Sequence, residues 1–275
     1  MDRILDYKVS LCEDGMTVLH FLRAKGFSRH ILTSMKPDKK ALTLNGGKAG
    51  GNTVLHTGDV LHVRILETGS CEGIVPTEMD LSVLYEDEDI FVLNKASNLP
   101  VHPSIGNYEN TLANGIESYF RSRNLICPFR CINRLDRDTS GALILAKNAL
   151  SASILSAQMK ERQIHRTYLA LCDGPLPAPQ GTIDAPIARK ETSAIERCVD
   201  FEKGEQAVTH YKVLETCQNI TLAELHLETG RTHQIRVHMQ YLGAPLLGDY
   251  LYHPDFTRIS RVALHSSALE DRKSV

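Results

Sequence analysis

The chain has 275 residues, 42% of them hydrophobic, enough for one large domain or two smaller ones with a sizeable core. Its 31 basic and 33 acidic residues leave a net charge of −2, which excludes a uniformly basic nucleic-acid-binding protein and confines any such surface to a local patch. No stretch approaches the roughly 20 apolar residues of a membrane span. Residues 1–14 mix acids with short apolar runs, unlike a secretory leader or an Arg-rich presequence. The seven cysteines are an odd number without zinc-ribbon or redox spacing, so they read as reduced thiols. A soluble cytoplasmic protein without a metal site is the expectation.

In chain order, Thr17 to Arg23 reads as a short amphipathic helix stopped by Gly26. Ser28 can cap a second helix carrying Ile31, Leu32 and Met35. Two strand-like runs follow, Ala41 to Leu44 and Val60 to Ile65, with Gly-containing turns between them. Residues 20–50 carry seven Lys or Arg, among them Arg23, Lys25, Arg29 and Lys36, against the single acid Asp38. Such a patch can bind phosphates by releasing counterions. From Glu67 to Asp89 the sign reverses: eight acids and no Lys or Arg. That switch predicts a module over residues 1–68, a linker over 69–80 and a second domain over 81–275, with the acidic stretch facing away from any RNA.

In the second domain, Val83-Leu84-Tyr85 and Ile90 to Leu93 flank an acidic turn and predict a hairpin. Leu112, Ile116, Tyr119 and Phe120 share one helical face over 111–121. Asn148 can cap a helix whose Ile154, Leu155 and Met159 face inward. Arg166 to Leu171, Ala207 to Leu214 and Ile220 to Leu227 are strand-like, and a last helix begins near Thr232. Strands with a few helices outside predict an α+β domain with a mixed, largely antiparallel sheet. After Leu264-His265 the chain turns polar and stops, which predicts a missing sheet edge or a truncated end.

Asn133-Arg134-Leu135-Asp136-Arg137-Asp138-Thr139-Ser140-Gly141 is the stretch around which the chain is organised. It packs two arginines and two aspartates into five residues and runs into the apolar strand Ala142 to Ala146. Charges held beside a buried strand are costly unless they pair and hydrogen-bond. The stretch resembles the Arg-Leu-Asp-x-x-Thr-Ser-Gly signature of the RluA-type pseudouridine synthases, which isomerise uridine in RNA. Further blocks resemble that family in order: Tyr85-Glu86-Asp87, Asn94-Lys95, Pro100-Val101-His102-Pro103, Arg166 to Leu171, Gly181 to Ile187, Thr229 to Met239, Leu247-Gly248-Asp249 and Leu264-His265. They span residues 81 to about 270. Residues 1–68 are similar to an S-four type RNA-binding module. Three positions depart from the family pattern: Ala96 for Pro, Asn98 for Gly and Asn133 for His.

The resemblance implies an isomerase that needs no cofactor and acts as a monomer on ribosomal or transfer RNA. It implies Asp136 as the catalytic carboxylate, which can serve as nucleophile or base, with Arg231 as its charged partner and Tyr168 against the target base. It implies Arg134 as the residue filling the place of a flipped-out nucleotide. Lys95, His233 and Arg236 are candidates for binding RNA phosphates, beside Arg23, Lys25, Arg29 and Lys36 of the module. Residues 138–141 read as turn-closing. Two other functions stay open: a non-catalytic RNA-binding or ribosome-assembly factor on the same scaffold, and an aspartate-based nucleoside hydrolase.

Overall fold

The computed structural model describes residues 2–67, 73–104 and 106–271. In the N-terminal unit both expected helix caps are in place. Thr17 Oγ1 accepts from the His20 amide before α1 (Val18–Ala24), and Ser28 Oγ accepts from the Ile31 amide before α2 (Arg29–Ser34). Each cap satisfies an amide that the first helical turn leaves unpaired. A strand not foreseen in the sequence, β1 (Arg3–Lys8), pairs antiparallel with β4 (Val60–Ile65). Together with β2 (Leu42–Leu44) and β3 (Gly47–Lys48) they form a four-stranded sheet in the order β1-β4-β2-β3. Phe21, Leu22, Ile31, Leu61 and Val63 fill its core.

The second unit is built on an eight-stranded sheet. Its strands and helices in chain order are β5 (Ser82–Glu86), β6 (Ile90–Lys95), α3 (Leu112–Ser122), β7 (Ser140–Ala146), α4 (Ala149–Lys160), β8 (Ile164–Asp173) and β9 (Gln180–Asp184). After the small hairpin β10 (Ile187–Arg189) and β11 (Arg197–Val199) come β12 (Val208–Cys217), β13 (Ile220–Leu227), α5 (Gln234–Tyr241) and β14 (Leu264–Asp271). The sheet order is β5-β6-β7-β14-β8-β13-β12-β9, and among the described residues only β7 and β14 pair in parallel. This is the expected α+β class with a mixed, largely antiparallel sheet. Phe91, Leu93, Leu143, Ala223, Leu225 and Met239 lie in its core.

The polar tail is a correction. Ser266 and its neighbours form β14, which lies in the middle of the sheet between β7 and β8 and not at a lost edge. Small residues are needed there because the backbones approach closely. A Cβ on Gly141, at φ +116, would stand 2.2 Å from the Ser266 carbonyl oxygen. Ser266, itself buried, donates its hydroxyl to the Ala142 carbonyl. The last helix also begins later than expected, at Gln234, because His233 takes a left-handed conformation, φ +57, and serves as its N-cap.

The acidic segment does not simply face outward. Asp89 takes a two-point contact from the Arg3 guanidinium, 2.8 and 3.1 Å, and Glu88 pairs with the same arginine. Glu67, almost fully buried, joins Arg130 to the Ala149 amide at the start of α4. Leu150 of α4 enters the core of the N-terminal unit, and Ser153 donates to the Gly26 carbonyl, 2.8 Å. Ile154, expected to face inward, instead lies over Gly26, where a Cβ would meet its Cγ1 at 2.5 Å. The expected linker over 69–80 falls partly outside the described residues.

Candidate active site

The loop before β7 is fastened at several points before any functional group is considered. Lys95, at the end of β6, is fully buried and donates its ammonium to three carbonyls: Ala96 at 2.8 Å, Leu99 at 2.9 Å and Arg137 at 2.9 Å. Three N–H donors meet three acceptors, which offsets the cost of burying the charge. Burial pushes the ammonium down to about 8, against the pull of Asp138 and Asp136. Lys95 is therefore not a phosphate ligand, contrary to expectation: it is a strut under the Asp136 loop. Asn98 is left-handed, φ +60, a conformation Asn tolerates, and its Oδ1 accepts from the Arg137 guanidinium. Ser97 donates to the Asp138 carbonyl at 2.7 Å, and the Thr139 amide closes a turn on Asp136 at 3.2 Å.

Asn133 holds the other flank. It is buried, accepts from the Ile144 amide at 2.9 Å and donates to the Ala142 carbonyl at 3.2 Å. Its side chain thus binds β7 much as a neighbouring strand would. The position that departs from the family motif is a backbone brace for the strand that carries the loop.

Asp136 projects from this braced loop with 28% of its side chain exposed, and its Oδ2 lies 3.6 Å from Arg236 Nη1. Arg236 stands on α5 with only 1% exposure and forks onto Asp249, Nε to Oδ2 and Nη2 to Oδ1, both at 2.7 Å. Its guanidinium also lies 5.3 and 5.0 Å from the ring centres of Tyr250 and Tyr252. Burial works against the Arg236 charge. The hydrogen bonds and attraction of Asp249, with a smaller pull from Asp136, outweigh it and raise its pKa above the ordinary value. One fixed cation thus serves two carboxylates, one buried and one facing a cavity.

Two expectations are corrected here. The arginine beside Asp136 is Arg236, not Arg231. Arg231 turns away to pair with Glu205, and its Nε donates to the Gln206 carbonyl at 3.0 Å. The reason lies in the turn: Gln234 accepts from the Arg231 amide and anchors itself on Val208 and Thr209, so residue 231 precedes the helix while 236 lies on its inner face. Second, Arg236 is not a surface residue for backbone phosphates, since it is buried and already doubly engaged.

Asp136 and Arg236 border a cavity of about 290 Å³, also lined by Arg134, Arg166, Tyr168, Arg231 and His233. Tyr168 comes from β8, opposite Leu225 of β13. Burial pushes its phenol up, Arg166 partly opposing, so the hydroxyl keeps its proton at neutral pH. The Tyr252 hydroxyl accepts from the Arg197 amide at 2.9 Å and lies 2.8 Å from His233 Nδ1. Burial pushes His233 down and Tyr252 up to about 12, so both are neutral at pH 7. Arg134 is exposed at the rim and free of side-chain partners among the described residues.

In the N-terminal unit Arg23, Arg29 and Lys36 are exposed, whereas Lys25 is engaged by Glu13 at 2.8 Å. His238 and His265, without a role in the sequence, are bound internally: His238 between Thr209 and the Ala185 carbonyl, His265 to Ser140. Sequence reasoning missed Asp249, Tyr250, Tyr252 and Arg197 as parts of the site. Asp249 stood in the Leu-Gly-Asp block, but nothing in its neighbourhood marks it as a partner for an arginine thirteen residues earlier.

Comparisons with known proteins agree on one family. Residues 89–241 match the family model described as RNA pseudouridylate synthase. The chain is 41% identical over 256 residues to an uncharacterized RNA pseudouridine synthase of Bacillus subtilis, YjbO, covering 92% of this chain and 89% of that one. It is 40% identical over 229 residues to ribosomal large subunit pseudouridine synthase D of Xanthomonas campestris, covering 82% and 67%. Among solved structures, human RNA pseudouridylate synthase domain containing 1 superposes with a TM-score of 0.59 at 31% identity, covering 75% of this chain and 82% of that one.

Proposed function

Since the chain belongs to the RNA pseudouridylate synthase family, we propose that it uses Asp136 to convert specific uridines of ribosomal RNA to pseudouridine. The observation that carries the assignment is the position of Asp136: a partly exposed carboxylate on a braced loop, facing a cavity, with its cation fixed from behind by Asp249. A pure RNA-binding protein has no use for a carboxylate aimed into a cavity that receives a polyanion.

The cavity, about 290 Å³, suits one nucleotide and not a base pair. The target therefore leaves its stack, at a cost of a few kcal/mol, and exposed Arg134 at the rim fills the gap with a flat guanidinium that can also contact phosphate. Inside, Tyr168 lies against the uracil. Breaking the bond from ring nitrogen to anomeric carbon, turning the ring and joining carbon-5 to the sugar conserves every atom. Asp136 is the group that meets the reacting sugar or ring. Arg236, with Nη1 3.6 Å from Asp136 Oδ2, keeps the carboxylate directed at it. The N-terminal unit supplies a second RNA contact through Arg23, Arg29 and Lys36. Ribosomal RNA of the large subunit is favoured over transfer RNA by the name of the Xanthomonas relative, and such a substrate places the reaction in the cytoplasm. Among the described residues no helix is long and apolar enough to cross a membrane.

The test is pseudouridine mapping of RNA from cells that carry only Asp136→Asn. Loss of one or a few sites that the wild-type gene restores is expected. Wild-type modification in the variant would overturn the role of Asp136, and release of free uracil by the wild-type protein would favour a hydrolase.

A further inference from the structure

Beside the catalytic cavity, and sharing Gly230, Arg231 and Thr232 with it, lies a second groove of about 420 Å³. Its other wall is the β10–β11 hairpin with the turn that follows, contributing Arg189, Arg197, Lys203 and Glu205. Four cations thus face one carboxylate, on a chain whose net charge is −2. Such local excess has a consequence for a polyanion that the global charge hides.

The cations are only partly engaged. Arg189 is exposed and has no side-chain partner among the described residues. Among the described residues the Arg197 guanidinium donates only to the carbonyls of Ile195 and Glu196, both at 3.2 Å. Lys203 pairs with Glu191 where both side chains are largely exposed, a contact of small energy. Arg231 is held by Glu205, itself mostly exposed. The groove is also tied to the reaction site: the Arg197 amide donates to Tyr252, whose hydroxyl meets His233 in the cavity wall.

We propose that this groove seats the phosphodiester backbone of the RNA strand next to the target nucleotide, and that Glu205 occupies the place of a phosphate on Arg231 until RNA displaces it. The inference rests on the RNA pseudouridine synthase reading. Arg231 then grips the strand at the threshold between groove and cavity, while Arg236 serves the carboxylate inside. Glu205 is suited to the part because its backbone is locked by a reciprocal pair of hydrogen bonds with Ile187, both 2.9 Å, while its carboxylate stays exposed and can swing aside. A phosphodiester brings the same single charge and, like the carboxylate, two non-bridging oxygens that the guanidinium fork can bind as a pair.

The experiment measures anisotropy of a fluorescein-labelled 20-nucleotide oligouridylate across a KCl series, with the full chain. For Arg189→Gln/Lys203→Gln the expected result is about 10-fold weaker binding, with the salt slope reduced by roughly 1.4, two contacts at ~0.7 each for a single strand. For Glu205→Gln the expected result is several-fold tighter binding. Arg189→Lys/Lys203→Arg should keep the wild-type slope, and thermal melting should be unchanged in all three, since none of these side chains is buried. Unaltered affinity and slope in the double Gln variant would overturn the groove. Unaltered affinity in Glu205→Gln would overturn the displacement. Pseudouridine formation on extracted ribosomal RNA is read separately: its absence from the wild-type protein would sink the enzymatic reading whatever the binding data say, while its presence with unaltered binding would sink the groove alone.

Discussion

Asp249→Asn is the substitution that tests the site most sharply, because it changes one atom and touches no substrate. Asp249 is buried and accepts four hydrogen bonds: Arg236 Nε on Oδ2, and Arg236 Nη2 with the Leu251 and Tyr252 amides on Oδ1. An asparagine can keep its oxygen toward Nη2 and the two amides. Its nitrogen then faces Nε, donor against donor, and the buried guanidinium loses its counter-charge. Breaking a buried pair from one side costs about 3–5 kcal/mol, and each charge-assisted hydrogen bond lost contributes about 1.5–3 of that. At ~2–4 °C per kcal/mol the melting temperature should fall by roughly 6–20 °C. Arg236 should then swing toward Asp136, its remaining carboxylate, and shift both groups. A misplacement of ~1 Å costs on the order of 100-fold in rate. The assays are thermal and urea unfolding for stability, and single-turnover pseudouridine formation for rate. A variant that melts within about 2 °C of wild type and turns over normally would refute the claim that Asp249 positions the Arg236–Asp136 pair.

Other outcomes follow from the braces around the loop. Asn133→Ala should cost about 1–2 kcal/mol in urea unfolding, because the Ile144 amide loses its acceptor while the Ala142 carbonyl is left with the Ser266 hydroxyl. Gly141→Ala should cost more than ~2 kcal/mol, since a left-handed backbone and a clash with the Ser266 carbonyl act together; a melt unchanged from wild type would contradict the close approach of β7 and β14. Lys95 gives a pH signature. Its folded-state pKa, about 8, lies below the ~10.4 of an unfolded lysine, so between the two the unfolded chain binds the extra proton. The Lys95 contribution to stability is therefore least favourable below pH 8 and rises from pH 8 to about 10.4. The difference in unfolding free energy between wild type and Lys95→Met should show that slope in that window, and a flat difference would contradict it.

The sequence alone determined a good deal. Period and capping chemistry located α1 to α4 and the strands of the hairpin and meander, since Thr17, Ser28 and Asn148 act within three residues of themselves. The density of charge beside an apolar strand marked the stretch from Asn133 to Gly141, the family resemblance singled out Asp136 within it, and Asn98 in a left-handed turn was legible because the preference is local. What sequence could not decide is pairing between residues far apart. Which arginine faces Asp136 depends on the turn that Gln234 ties down, and it chose Arg236 over Arg231. Lys95 reads as a surface cation until three carbonyls from two loops close around it. Ser266 reads as the start of a polar tail until β7 and β8 leave a slot that only small side chains fit. In each case the deciding energy is a contact between segments tens of residues apart, and that term is written only in the tertiary structure.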